Sequence, residues 1–173
     1  SAASDVYKRQ DNGGIYLDTD VELLKKPDFL LENQCYIGIQ QPESLCTTGL
    51  GFGAQKSSPV VQKMMECYDS ISFTDQKKST FACPWLNDKV IRSFGKVSNE
   101  DITYLKEVTV YPPRFFDPLS TGNTKNLLCD ETVSIHHYAA TWAGNKQRWK
   151  RKLIRFFGED RYFKLKKLFR RVQ

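Results

Sequence analysis

The chain has no apolar run approaching the roughly 18 to 20 residues that a membrane-spanning helix needs. Its start carries neither the basic residues nor the apolar stretch of a secretory signal, so none is expected. It has no C-x-x-C pair: the five cysteines (Cys35, Cys46, Cys67, Cys83 and Cys129) are odd in number and widely scattered. That spacing argues against both a disulfide framework and a zinc knuckle. The thiols instead read as small core residues in a reduced, cytosolic setting. No period of repeat length is visible, and histidine is scarce, with only His136 and His137 in the whole chain.

What is present fits one domain of ordinary size. The 173 residues are 40% hydrophobic and 13% aromatic, enough to bury a core and too apolar to read as disordered. The net charge of +6 is unevenly spread. From Lys146 to the end stand twelve basic and two acidic residues, leaving fourteen basic against eighteen acidic over the first 145. A mildly acidic body with a strongly basic tail points to an anionic surface as the partner of residues 146–173.

Strands and helices alternate irregularly along the chain, which places it in the α/β class. An apolar strand is expected over 13–18, opened by the Asp11-Asn12-Gly13-Gly14 turn signal, with further strands at 36–39, 49–54, 108–111 and 132–138. Glycines thin the 49–54 strand and let a ligand or another backbone approach. Ser58-Pro59 predicts a helix start, with Val61, Met64, Met65, Tyr68 and Ile71 on its apolar face. A second helix is expected over 84–94, with Trp85, Leu86, Val90 and Ile91 inward and Gly95 as its stop.

The segment Gly13-Gly14-Ile15-Tyr16-Leu17-Asp18-Thr19-Asp20 carries the chemistry. Asp18 and Asp20 are separated by one residue, so on an extended strand both carboxylates face the same way and can reach one ion. If the strand ends there and turns, one binds the ion and the other a ribose or a water. Hard oxygen ligands suit Mn²⁺ or Mg²⁺, whose coordination is completed by phosphate oxygens. In open α/β sheets, ligands gather at the carboxyl ends of strands.

The run from Gly13 through Asp20, Val21 and Glu22 resembles the signature of the family 32 glycosyltransferases, the DXD-motif sugar transferases of capsule synthesis and yeast-type mannosyl transfer. Tyr111-Pro112-Pro113-Arg114-Phe115-Phe116-Asp117-Pro118 resembles that family's Y-P-x-x-F-x-P stretch, and Ser134 to Trp142 resembles its closing H-H-x-x-S-W, with Thr141 in place of the serine. The three matches span about residues 11 to 142. The resemblance implies a GT-A-type fold, a divalent cation, a UDP- or GDP-sugar donor and transfer with retention of configuration. It implies His136 as the third metal ligand beside Asp18 and Asp20. Gly13, Gly14, Tyr16, Thr141 and Trp142 are then substrate-binding residues, with Thr141 and Trp142 closing over the phosphates.

The family's A-S-D-x-x-R helix start is displaced here: Ser4-Asp5 lies too close to Gly13, and Lys8 stands where the arginine belongs. Residues 1–10 look like translated sequencing-adapter sequence and are expected to be a non-native leader. The division expected is therefore a leader (1–10), a GT-A catalytic domain lacking its first βαβ portion (11–145) and a basic amphipathic helical tail broken at Gly158 (146–173). Such a chain is expected to be weakly active or inactive alone.

The expected acceptor is a glycan or lipid-linked glycan of surface or capsular polysaccharide. The tail is expected to dock on the anionic inner face of the cell membrane, where such acceptors are met; no nucleic-acid motif is present. Two rival readings have defined weaknesses. A haloacid-dehalogenase-type phosphatase wants Thr or Val two residues past the second aspartate, where Glu22 stands. A non-catalytic membrane or polyanion adaptor leaves the 13–22 string and the His136–Trp142 ending unexplained.

Overall fold

The computed structural model describes residues 2–41, 43–69, 83–120 and 125–139. Ile71, Thr141, Trp142 and the 146–173 tail lie outside the described residues, as do the expectations placed on them.

The framework is a mixed α/β fold built on a five-stranded sheet. Strands β1 (Gly14–Tyr16), β3 (Cys35–Ile39), β4 (Cys46–Ala54), β5 (Thr103–Tyr104) and β6 (Thr109–Tyr111) lie in the order β1-β4-β3-β6-β5. Neighbours are antiparallel except β3 and β6, which run parallel. A parallel pair needs a long crossover, and here it contains β4 and the helices α2 (Pro59–Asp69) and α3 (Cys83–Arg92). A two-stranded antiparallel ribbon, β2 (Val21–Leu23) with β7 (Ser134–His136), stands beside this sheet.

Side chains alternate across the sheet with period two and feed two cores. On β3, Cys35, Ile37 and Ile39 enter one cluster with Val60, Val61 and Met64 of α2, Val90 and Ile91 of α3, and Val110 of β6. Tyr36 and Tyr111 enter the other, against Leu30 of a 3-10 helix (Asp28–Glu32) and against Phe115 and Phe116 of the short helix α4 (Pro113–Phe116). Gly38 lies on the second side, where a Cβ would come within 2.7 Å of the Phe116 ring.

Most expected elements are present, with shifted edges. The first strand stops at Tyr16, two residues before Asp18. The strand expected over 49–54 begins earlier, at Cys46. Ser58 caps α2 through its carbonyl, which accepts from the Gln62 N–H at 3.0 Å. Trp85 corrects the reading of α3: it is 54% exposed, while Asn87 and Asp88 are buried on the inner side. Asp88 accepts from the Cys46 N–H at the start of β4 (2.9 Å) and from Arg92 Nε (2.8 Å), which gives it a structural place. Residues 2–12 form helix α1, whose Val6 is buried in the first core cluster and whose Arg9 donates to the Ile15 carbonyl at 3.0 Å. Among the described residues, no helix is long and apolar enough to cross a membrane.

Candidate metal centre

Two neighbouring carboxylates, Asp18 and Asp20, meet the sequence-distant His136 where β1 gives way to β2. After Tyr16 the chain leaves the sheet through Leu17 and turns at Thr19-Asp20 into β2. The Asp18 N–H donates to the Gly49 carbonyl (3.1 Å), and the Val21 N–H donates to the Asp18 carbonyl (3.1 Å). The two aspartates thus sit on a turn, not on one extended strand. The ribbon supplies the third group: Val21 pairs with His136, and the His137 N–H donates to the Asp20 carbonyl at 2.9 Å.

His136 Nε2 lies 3.5 Å from Asp18 Oδ2 and 3.3 Å from Asp20 Oδ1. One ligand atom from each of the three lies within 4.8 Å of the others. Those separations exceed the 2.7–2.9 Å of a strong charge-assisted hydrogen bond. They approach the ~3 Å expected between adjacent ligands of an octahedral ion with metal–ligand distances of about 2.1 Å. Two carboxylate oxygens suit hard cations such as Mg²⁺ and Mn²⁺, and the imidazole nitrogen adds a ligand type that transition metals favour.

Each carboxylate has one oxygen held by the protein and one turned inward. Tyr16 Oη donates to Asp18 Oδ1 at 2.7 Å, leaving Oδ2 toward the imidazole. The Ala139 N–H donates to Asp20 Oδ2 at 2.7 Å, leaving Oδ1 toward it. The His136 imidazole beside Asp18 holds its carboxyl below the usual carboxylate value; partial burial opposes this and the Tyr16 hydroxyl adds to it. His136 is buried, and its Nδ1 has no hydrogen-bond partner among the described residues.

The wall of the centre comes from an irregularity in β4. Its register against β3 steps from Phe52 at Ile37 to Thr47 at Gly38, so residues 48–51 leave the ladder. Gly49 is turned to Asp18, and a Cβ there would overlap Asp18 Oδ2. Only a residue without a side chain leaves that oxygen its position.

His137, the neighbour in sequence, faces the other way and meets Glu22 Oε2 at 2.8 Å. Strand alternation therefore assigns the two histidines different places. Gly13 and Gly14 are not brought to the carboxylates. They open β1 with φ of 67° and 97°, and they line a separate cleft of about 460 Å³ with Tyr36, Gly53 and Lys56. Four residues of roughly extended chain, about 13 Å, separate Gly14 from Asp18.

Behind His136 stands a carboxylate to which no motif assigns a role. Asp117 follows α4, is fully buried, and accepts at Oδ2 from the Gln41 N–H and from Tyr138 Oη, each at 2.8 Å. Burial pushes the Asp117 carboxyl up; the Gln41 N–H and the Tyr138 and Ser120 hydroxyls act against that. Burial, with the Asp117 carboxylate beside it, also pushes the Tyr138 phenol up, so it remains a donor. The Tyr138 ring meets His136 edge-on, with centroids 4.2 Å apart.

Compared with family models, curated proteins and solved structures, the chain matches none.

Proposed function

We propose that this chain carries the cation- and diphosphate-binding centre of a GT-A-type glycosyltransferase, which moves a hexose from a UDP- or GDP-sugar to a glycan or lipid-linked glycan with retention of configuration. The observation that carries the reading is the convergence of Asp18, Asp20 and His136 at ligand spacing. The order of the three family-like motifs along the chain supports it, since two of them supply these residues.

When bound, Mn²⁺ or Mg²⁺ supplies Lewis-acid stabilisation of the charge that develops on the leaving diphosphate. The protein's share is to hold the ligand atoms ready. Tyr16 and the Ala139 N–H orient the two carboxylates, and Gly49 keeps Asp18 Oδ2 clear. Preorganised groups need no rearrangement as charge develops, which is the main economy of such sites. Thr141 and Trp142 are assigned to the phosphates, and Gly13 and Gly14 to the donor, by resemblance alone. The basic 146–173 segment is assigned to an anionic membrane face carrying the acceptor. Vesicle co-sedimentation with and without those residues tests that last assignment.

The central test is Mn²⁺ titration with and without UDP or GDP. Substituting Asp18→Asn, Asp20→Asn or His136→Ala is expected to weaken Mn²⁺ binding by on the order of 100-fold or more, at or beyond the top of the 10- to 100-fold range typical of outer-shell changes.

A further inference from the structure

We propose that Asp117 and Tyr138 form the positioning pair of this centre, locking the His136–Ala139 segment across Asp20 so that the imidazole faces both carboxylates. The inference rests on the metal reading above and adds to it residues outside the three-ligand set.

The segment after β7 is tied down at three points. The His137 N–H reaches the Asp20 carbonyl, the Ala139 N–H reaches Asp20 Oδ2, and between them Tyr138 turns the other way to Asp117. That reversal requires Tyr138 to adopt φ 50°, in the left-handed region that a bulky residue rarely occupies. Such a conformation persists only where its surroundings over-determine it. The Tyr138 hydrogen bond to Asp117 is the tie that holds the reversal from the protein interior.

Asp117 is itself fixed from two directions. Gln41 donates its N–H to the carboxylate and its side-chain amide to the carbonyls of Asp117, Pro118 and Lys125, at 3.0 to 3.1 Å. The Asp117 N–H donates to the Pro113 carbonyl at 2.8 Å, which anchors the residue to α4. A buried carboxylate held this firmly is a rigid post. The Tyr138 ring spans from that post to the His136 imidazole, and it limits the angle that imidazole can take. Second-layer groups of this kind orient a ligand without touching the ion.

The test compares Tyr138→Phe, which keeps the ring against His136 and removes only the hydroxyl, with Asp117→Ala and Asp117→Asn. Asparagine retains an oxygen able to accept from Tyr138, so it serves as the conservative rescue. Met64→Ala, in the helix-side core, controls for general destabilisation. Mn²⁺ affinity of the full chain is read by electron paramagnetic resonance, alongside thermal unfolding in the absence of metal. Tyr138→Phe and Asp117→Ala are expected to weaken Mn²⁺ binding about tenfold, with Asp117→Asn within about threefold of the unsubstituted chain and Met64→Ala unchanged. Tyr138→Phe binding as tightly as the unsubstituted chain overturns the pair, as does Asp117→Asn binding as weakly as Asp117→Ala. If Asp117→Ala does not fold, the Tyr138→Phe and Asp117→Asn comparison decides alone. If the unsubstituted chain takes up no Mn²⁺, the metal reading fails by itself. The pair is then judged on the His136 ring resonances by NMR: Tyr138→Phe must shift or broaden them, and unchanged signals overturn it.

Discussion

At the scale of single residues, the centre depends as much on an absent side chain as on the ligands. Gly49 stands where a Cβ would overlap Asp18 Oδ2, so the backbone of β4 forms the wall against which that carboxylate rests. Gly49→Ala must displace either the strand or the carboxylate. The expected outcome is a loss of Mn²⁺ affinity of at least about tenfold, with a stability cost of ~1–3 kcal/mol from overpacking, read by titration and by urea unfolding. Burial sorts the thiols just as clearly. Cys35 is buried under the first core and its thiol is pushed up to about 12, and burial raises Cys46 too, whereas Cys129 is exposed. The thiolate is the reactive form. In a maleimide or disulfide-exchange assay near neutral pH, Cys129 is therefore expected to react in the native state, while Cys35 and Cys46 react only after unfolding. Native-state labelling of Cys35 or Cys46 at the rate of Cys129 would show that the β3–β4 core is not packed as described.

At the scale of elements, the β2–β7 ribbon decides which histidine serves the site. Val21 opposite His136 puts that ring toward Asp18 and Asp20 and sends His137 to Glu22. His136→Ala is expected to abolish tight Mn²⁺ binding, and His137→Ala to leave the affinity within about twofold, since an exposed pair contributes ~1 kcal/mol or less. Equal losses in both variants would contradict the register. Helix α3 has a different task. Its Asp88 satisfies the Cys46 N–H and pairs with Arg92, so Asp88→Ala is expected to lower stability by ~1–3 kcal/mol in urea unfolding while Mn²⁺ affinity is unchanged. Local signals explain why these elements were partly legible beforehand. Ser58-Pro59 announces α2 through capping chemistry confined to adjacent residues, and Asp18-Thr19-Asp20 announces itself through its spacing. The excursion of residues 48–51, the parallel β3–β6 pairing and the outward turn of Trp85 depend on partners tens of residues away. Helical spacing alone gave Trp85 an inward place, because it could not know that the polar Asn87 and Asp88 had buried partners on β4. Asp117 lies in the Tyr111–Pro118 stretch with no role legible from sequence, since its partners Gln41 and Tyr138 are brought to it only by the fold.

At the scale of the whole molecule, the two cores hold the sheet from both sides and leave the candidate metal centre at the junction of sheet and ribbon. The junction joins three parts of the chain: the β1–β2 turn, the 48–51 excursion, and β7 with the residues after it. A ligand that bridges such parts stabilises the folded state by mass action, because the unfolded chain does not assemble the three groups. The charge distribution adds a second layer, a mildly acidic body with a basic 146–173 segment, and an acidic body favours the approach of a cation. The most direct test of the central claim is the Mn²⁺-dependent shift in thermal unfolding temperature, measured for the unsubstituted chain and for Asp18→Asn, Asp20→Asn and His136→Ala. The account predicts that saturating Mn²⁺, at about 100 times its dissociation constant, stabilises the unsubstituted chain by ~2.7 kcal/mol and that each substitution removes most of that gain. An Mn²⁺ response that is absent from the unsubstituted chain, or retained in full by all three variants, would contradict it.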